Sequence, residues 1–323
     1  MDSESFGFMV EWFDQQADLM REYNLTVFKP QRGPLEAALY DERAHRPFLK
    51  RMPIPELNLE DLVVGSTITI HARHLKVKSY NDAHTRGEIE GGRGQFAILV
   101  QPVAFRQFGQ IVTCMEMGNL TISKMRLINV NGPVVAISVV GKDAEIVWDQ
   151  VSMNIPKQAY QKVQAAAVDE YFDKAIHPAT AAFDHCTLCI IRPHLLKARQ
   201  AGQVIEAIQN AGFEISALQM LHMQKAEAAE LLDVYKGVVP YHKEMVDGMS
   251  IAPLIAMELR GPGSVVEQLR QLCGPYDVDM ARHLRPDSLR AKFGVDNANN
   301  GVHATDLEDD AEFEVRYIFE MLA

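Results

Sequence analysis

Leu188-Cys189-Ile190-Ile191-Arg192-Pro193 repeats, 91 residues later, the pattern of Ala97-Ile98-Leu99-Val100-Gln101-Pro102. An apolar run that ends in a polar residue and a proline predicts a buried strand leaving its sheet. Its recurrence marks an internal duplication. Three further pairs keep the same order: Gly109-Gln110-Ile111-Val112 with Gly202-Gln203-Val204-Ile205, then Leu120-Thr121-Ile122-Ser123-Lys124 with Phe213-Glu214-Ile215-Ser216-Ala217, then Gly132-Pro133-Val134-Val135-Ala136-Ile137 with Ala252-Pro253-Leu254-Ile255-Ala256-Met257. At this last pair the offset has grown to 120, so the first copy lacks about 29 residues. In the second copy those residues predict helices over Lys225–Tyr235 and Tyr241–Gly248. After Val151 the first copy has no counterpart of 274–306. In its place, 157–177 is rich in helix formers at amphipathic spacing and predicts a helix, broken at Pro178. The chain therefore divides into a trimmed α/β unit at 95–155, a helical linker at 156–182 and a complete α/β unit at 183–323.

Ahead of the duplication, FGFMVEWF (6–13), LTVFKP (25–30) and DLVVGSTITIHARHLKVKSY (61–80) carry β-branched and aromatic residues at strand spacing. They predict a mainly antiparallel β module over 1–90. The charged stretch Asp14–Arg21 fits a turn or a short helix, and the Gly-rich GEIEGGRG (87–94) fits a linker.

Bulk properties exclude more than they assign. The 323 residues, 47% hydrophobic and 23% charged, suit two or three globular domains. Four cysteines, at 114, 186, 189 and 273, are too few for a disulfide scaffold, which favours a reducing, cytoplasmic setting. Neither a secretory leader nor a run of about eighteen apolar residues is visible, so no membrane association is expected. A net charge of −11 disfavours binding to nucleic acid, because neutralising phosphates needs a basic surface.

Few residues invite chemistry. Cys186 and Cys189 resemble a metal clip, but residues three apart on a strand face opposite sides of it, so no metal site is expected. His71 and His74 fail on the same ground. A different constellation gathers in the second copy. Arg192 follows a strand, where α/β ligand sites collect. Arg270 lies on a helix opened by Ser264, and Arg290 follows Arg285-Pro286-Asp287-Ser288-Leu289. Asn300 and His303 share the Gly-containing turn Asn300-Gly301-Val302-His303-Ala304-Thr305-Asp306, and Glu314 lies on the next helix. Three guanidinium forks, an amide and an imidazole suit the oxygens of a polyphosphate.

Taken in order, Ile191-Arg192-Pro193, Gly212-Phe213-Glu214-Ile215, Ala252–Glu258, Cys273-Gly274, Arg285–Arg290 and Asn300–Asp306 resemble the nucleoside diphosphate kinase family over about 183–323. The first ninety residues, with Glu11-Trp12-Phe13-Asp14, Phe48-Leu49-Lys50-Arg51 and Leu59–Gly65, resemble the DM-ten domain. A DM-ten module before two kinase units is similar to the members of the family associated with axonemal doublet microtubules of cilia and flagella. The resemblance implies an α+β chain: a PH-like β module, then two ferredoxin-like α/β units, the first truncated. It implies that His303 is the phosphate-accepting nucleophile through Nδ1, with Glu314 fixing its tautomer. Arg270 and Arg290 would hold the phosphates, Tyr235 would lie near the γ-phosphate, Tyr241 would stack on the base and Asn300 would contact the ribose. Magnesium would arrive with the nucleotide (ATP or GTP) rather than in a protein cage. Tubulin and other axonemal proteins would be the partners, with the chain serving as a structural component or as a kinase at the axoneme. The sequence departs from the family pattern at five positions of this unit. Arg192 stands for lysine, His194 for aspartate, Tyr276 for a phosphate-binding threonine, Asn299 for arginine and Thr305 for serine. In the first copy Gln101 replaces the lysine and no histidine follows, which implies an inactive unit.

Overall fold

Strands β1 (Glu4–Asp14), β2 (Leu19–Lys29), β3 (Glu36–Asp41), β4 (Arg46–Pro53), β5 (Thr67–Ile70) and β6 (Arg73–Tyr80) form one antiparallel sheet in the order β4-β3-β2-β1-β6-β5. They belong to the first of two compact units, Met1–Arg93 and Gly94–Ala323. The structure, a computed structural model, describes residues 4–14, 19–55, 57–71, 73–91 and 93–322. Alternation along β1 buries Phe6, Phe8 and Val10 on one face, where they meet Tyr23, Leu25 and Val27 of β2. Asp14–Arg21 is neither turn nor helix where it is described: Asp14 closes β1, and Leu19–Arg21 open β2. Residues 15–18 lie outside the described residues. Cross-strand pairing of Asp14 with Leu19 and an Arg21–Asp14 ion pair at 2.8 Å carry both strands to the end of the hairpin. Nor is 87–94 a linker. It holds the end of α1 (Ala83–Glu90) and the start of β7 (Arg93–Val100). The Asp82 carboxylate caps α1 by accepting from the Thr85 amide, and buried Ile89 anchors it, which outweighs the helix-weakening Gly87.

In the second unit, β7 is followed by α2 (Phe108–Met117), β8 (Thr121–Asn129), β9 (Pro133–Lys142), α3 (Ala144–Val151) and β10 (Tyr160–Gln164). The complete copy runs β11 (Cys186–Ile191), α4 (Pro193–Lys197), α5 (Ala201–Asn210), β12 (Glu214–Leu221), α6 (Lys225–Leu231), α7 (His242–Ser250) and β13 (Leu254–Arg260). It ends with α8 (Val265–Cys273), α9 (Val278–Leu284), α10 (Leu289–Phe293), β14 (Val302–Ala304) and α11 (Glu308–Arg316). All eight strands make one sheet, β10-β7-β9-β8-β12-β13-β11-β14. Read outward from its centre, the order is the same in both directions: the duplication is a pseudo-two-fold, joined where Gln219 of β12 pairs with Arg126 of β8.

Two features of 151–182 correct the sequence reading. The first copy does not stop at Val151 or at 155, because β10 pairs with β7 as β14 pairs with β11. And 157–177 is not a helix but that strand followed by short 3-10 turns. Helix propensity is a weak preference, and here an open sheet edge supplies backbone partners and a place to bury Val163. The turns then cover a sheet face that would otherwise be bare. Val168 is buried with Ala97, Leu99, Ile128 and Val134, and Tyr171 and Phe172 pack against them. In the second copy helices α6, α7 and α11 do this work over Leu188, Ile190 and Ala256.

Helices α2 and α5 cross at the pseudo-two-fold. Gly109 and Gly202 are required there: a Cβ on Gly202 would fall 2.4 Å from the Thr113 amide nitrogen, and one on Gly109 would fall 2.7 Å from that of Glu206. Each helix also caps the other. Glu116 accepts from the Ala201 and Gly202 amides at 3.0 Å each, and Gln209 accepts from the Gly109 amide at 3.1 Å. Burial still pushes the Glu116 carboxyl up, against those amides.

Candidate active site

His303 is the middle residue of β14, hydrogen-bonded at the sheet edge beside Ile190 of β11. Alternation sends Val302 and Ala304 into the core beneath the sheet and His303 to the opposite face. There α11 brings Glu314 within 3.1 Å of Nε2. A carboxylate can only accept, so Nε2 carries a proton toward it, and in the neutral tautomer this leaves the lone pair on Nδ1. The same Glu314 oxygen accepts from the Thr305 hydroxyl at 2.8 Å, and that hydroxyl accepts from the Leu188 amide at 3.1 Å. The carboxylate is thus fixed by two donors, one of them locked to the central sheet. His303 is only 2% exposed.

A second group of side chains surrounds Tyr276. Arg192 starts α4, its amide held by the Gly301 carbonyl at 3.1 Å. Gly301 has φ +91, a backbone that favours glycine, which sets the turn ahead of His303. The Arg192 guanidinium is 1% exposed and donates to the Ala298 carbonyl, but its Nε has no partner. Burial lowers its pKa, while nearby Tyr276 acts the other way. Arg290 of α10 donates to the Gly274 carbonyl at 3.0 Å and stacks 5.1 Å from the centroid of the Tyr276 ring, and its Nε is also unpartnered. Asn300, fully buried, donates to the Tyr276 carbonyl at 3.4 Å and leaves Oδ1 unpartnered. The rings of Tyr235 and Tyr241 lie 5.9 Å and 6.4 Å from that of Tyr276.

Asp306 links the two groups. Tyr235 donates its hydroxyl to Asp306, and burial together with that carboxylate raises the phenol pKa. Arg270 donates to the Asp306 carbonyl at 3.0 Å and lies 4.0 Å from its carboxylate, more than half exposed. The fold thus brings His303, Glu314, Tyr235 and Arg270 together on one side and Arg192, Arg290, Asn300 and Tyr241 around Tyr276 on the other, joined by the Tyr235 ring. Thr305 and Asp306 belong to the motif seen in the sequence, but their hydrogen-bond partners are set by tertiary packing and could not be read there. His194, beside Arg192, is held down to about 4 by burial and that guanidinium, so it stays neutral.

Among the described residues no group of three His, Cys, Asp or Glu side chains could hold a metal ion. Cys189 faces the core beneath the sheet and Cys186 the opposite one. The sequence signal of the first copy's fate becomes legible only through register. Leu99 aligns with Ile190, and the residue paired with Leu99 is Gln161. Gln161 therefore stands where His303 stands in the second copy.

On this topology, the family described as "NDK: Nucleoside diphosphate kinase" matches residues 185–322. Over 42% of this chain and 94% of its own length, the nucleoside diphosphate kinase of Aquifex aeolicus is 33% identical. A crystal structure of the Aquifex aeolicus enzyme covers 43% of this chain and 96% of its own, with a TM-score of 0.40. Similarity to "Nucleoside diphosphate kinase homolog 7" extends much further, at 32% identity for the Rattus norvegicus protein over 99% of this chain and 94% of that one. The chain belongs to the nucleoside diphosphate kinase homolog 7 family. The N-terminal unit is a β-rich module.

Proposed function

We propose that the second copy is a nucleoside diphosphate kinase acting by a two-step exchange. Nδ1 of His303 attacks the γ-phosphorus of a nucleoside triphosphate, the bond to the β-phosphate oxygen breaks, and a diphosphate leaves. A second diphosphate then takes the phosphoryl group from the histidine. The observation that carries this is the 3.1 Å contact of His303 Nε2 with Glu314, which frees Nδ1 and compensates the positive charge the ring gains. Arg270 and Arg290 hold the phosphates, Arg192 adds positive charge behind them, Tyr235 approaches the γ-phosphate, Tyr241 stacks on the base and Asn300 meets the ribose. Magnesium would come with the nucleotide and would supply further charge neutralisation. The test is phosphate exchange between ATP and a second nucleoside diphosphate. His303→Ala should lower it by about 1,000-fold; equal rates for the two proteins would overturn the assignment.

The first copy favours a second, compatible role. It keeps the sheet and the α2–α5 packing but places Gln161 where the nucleophile belongs. A fold retained without its chemistry suits a packing surface. We propose that the chain is a structural component of axonemal doublet microtubules in cilia and flagella, facing tubulin and neighbouring axonemal proteins. Its N-terminal β-rich module would then be a PH-like DM-ten domain. Axonemes washed with high salt should retain the protein after peripheral proteins leave, and ready release would count against this role.

A further inference from the structure

Tyr276 departs most from the kinase pattern in bulk, standing where a small threonine would bind phosphate. Its ring is not idle. One face receives the guanidinium of Arg290 at 5.1 Å. On the side of Tyr241 the two rings are stacked, 17° apart in plane. Its hydroxyl reaches the Met245 sulfur at 3.3 Å, and its carbonyl accepts from Asn300. The two residues that would grip phosphate and ribose, and the ring that would stack on the base, are therefore all engaged by one tyrosine.

That engagement is incomplete in an informative way. Arg290 Nε and Arg192 Nε remain buried donors without acceptors, and Asn300 Oδ1 a buried acceptor without a donor. Buried polar atoms left so are costly, and they define what would satisfy them. Two donors call for anionic oxygens, and one acceptor calls for a hydroxyl. A nucleotide offers both, phosphate and ribose, whereas the single hydroxyl of Tyr276 is turned to Met245 and Arg192 and leaves these three atoms unpartnered. The strap carrying Tyr276 leaves α8 at a candidate hinge, Gly274. Gly274 has φ +78, and a Cβ there would fall 2.3 Å from the Ser288 hydroxyl oxygen, so the residue is held to glycine. Arg290 pins that hinge through the Gly274 carbonyl at 3.0 Å. An arriving phosphate competes for the same guanidinium and so loosens the pin.

We propose that Tyr276 is the gate of the nucleotide site. In the resting chain its ring fills the space between Arg290 and Tyr241, and it withdraws about Gly274 when a nucleoside di- or triphosphate recruits Arg290. This rests on the nucleotide-binding assignment above. Because the competent state is only a fraction of the resting population, apparent affinity falls by that fraction. Removing the ring lifts the restraint.

Calorimetric titration of the full chain with magnesium-ADP tests it. Tyr276→Thr should bind about tenfold or more tightly than the wild type, while Tyr276→Phe, which keeps the ring, should stay within about threefold of it. Wild-type binding that Tyr276→Thr does not improve would overturn the gate and leave the kinase assignment standing. If no protein binds, both fall. Hydrogen exchange on the wild type covers the case in which Tyr276→Thr does not fold. Saturating magnesium-ADP should change protection of the backbone amides over 274–280, and unchanged exchange in the bound protein would overturn the gate.

Discussion

The chemistry of His303 is decided by its neighbour rather than by its own ring. Glu314 receives hydrogen bonds from both His303 and Thr305 on one oxygen. Glu314→Gln presents an amide that can donate as well as accept, so the imidazole loses its fixed tautomer. Phosphate exchange should fall by about 100-fold with nucleotide binding unchanged, a split read by comparing exchange rate with ADP affinity. The pairing of His303 with Glu314 was legible only as what the family resemblance implied, since the ordered motifs end at Asp306 and do not include Glu314. Tyr276 was legible only as a replacement, since its contacts come from elements scattered over residues 192–300. A neighbouring residue gives a pH prediction. His194 is held at about 4 in the folded chain against an ordinary value near 6.5. Above about pH 6.5 the imidazole is neutral in both folded and unfolded chains and costs nothing. Between that value and about 4 only the unfolded chain takes up the proton, so stability falls as the pH is lowered and levels off below 4. Allowing for partial solvent screening, the loss is about 2 kcal/mol. His194→Asn should remove that part of the acid sensitivity in urea titrations at pH 7 and pH 5, and an unaltered pH dependence would contradict it.

At the level of elements, the α2–α5 crossing depends on two glycines. Gly202→Val places side-chain carbon inside contact distance of the Thr113 backbone, which must move. Destabilisation of about 3 kcal/mol is expected, read as a lowered denaturation midpoint; a loss below about 0.5 kcal/mol would refute close packing there. The repeat in the sequence paired Gly109–Val112 with Gly202–Ile205 without marking either as a helix, whereas the apolar strand ending at Pro193 and its counterpart ending at Pro102 left a direct signal. Strand β10 was hidden. Its segment is rich in alanine and glutamine, and what makes it a strand is the open edge of β7, sixty residues earlier in the chain. Val163→Asp would bury a charge among Ala97, Leu99 and Ile128, and should destabilise the unit by about 3 kcal/mol or more. An exposed residue of a linker helix would tolerate the same change. Helix α1 has a weak sequence signal for a related reason, since its cap at Asp82 lies outside the Gly-rich stretch 87–94.

Across the whole molecule, the duplication lets one copy complete the other. Sheet edges β8 and β12 meet, and each of α2 and α5 supplies the other's missing cap. Surfaces that would otherwise call for a second chain are satisfied within this one. A fragment carrying 183–323 alone uncovers β12 and the Gly202 face, and it should run larger than its own monomer mass in light scattering. A strictly monomeric, folded fragment would contradict that dependence. The reduced copy thus serves as a structural counterpart, and the complete copy keeps His303, the histidine we propose carries phosphate. The direct measurement is to incubate the protein with γ-labelled ATP and magnesium and look for label that is acid-labile and base-stable. We predict such label on the wild-type protein, absent from His303→Ala and more abundant at low ATP in Tyr276→Thr. No label on the wild type, at ATP concentrations that saturate binding, would contradict the phosphohistidine mechanism.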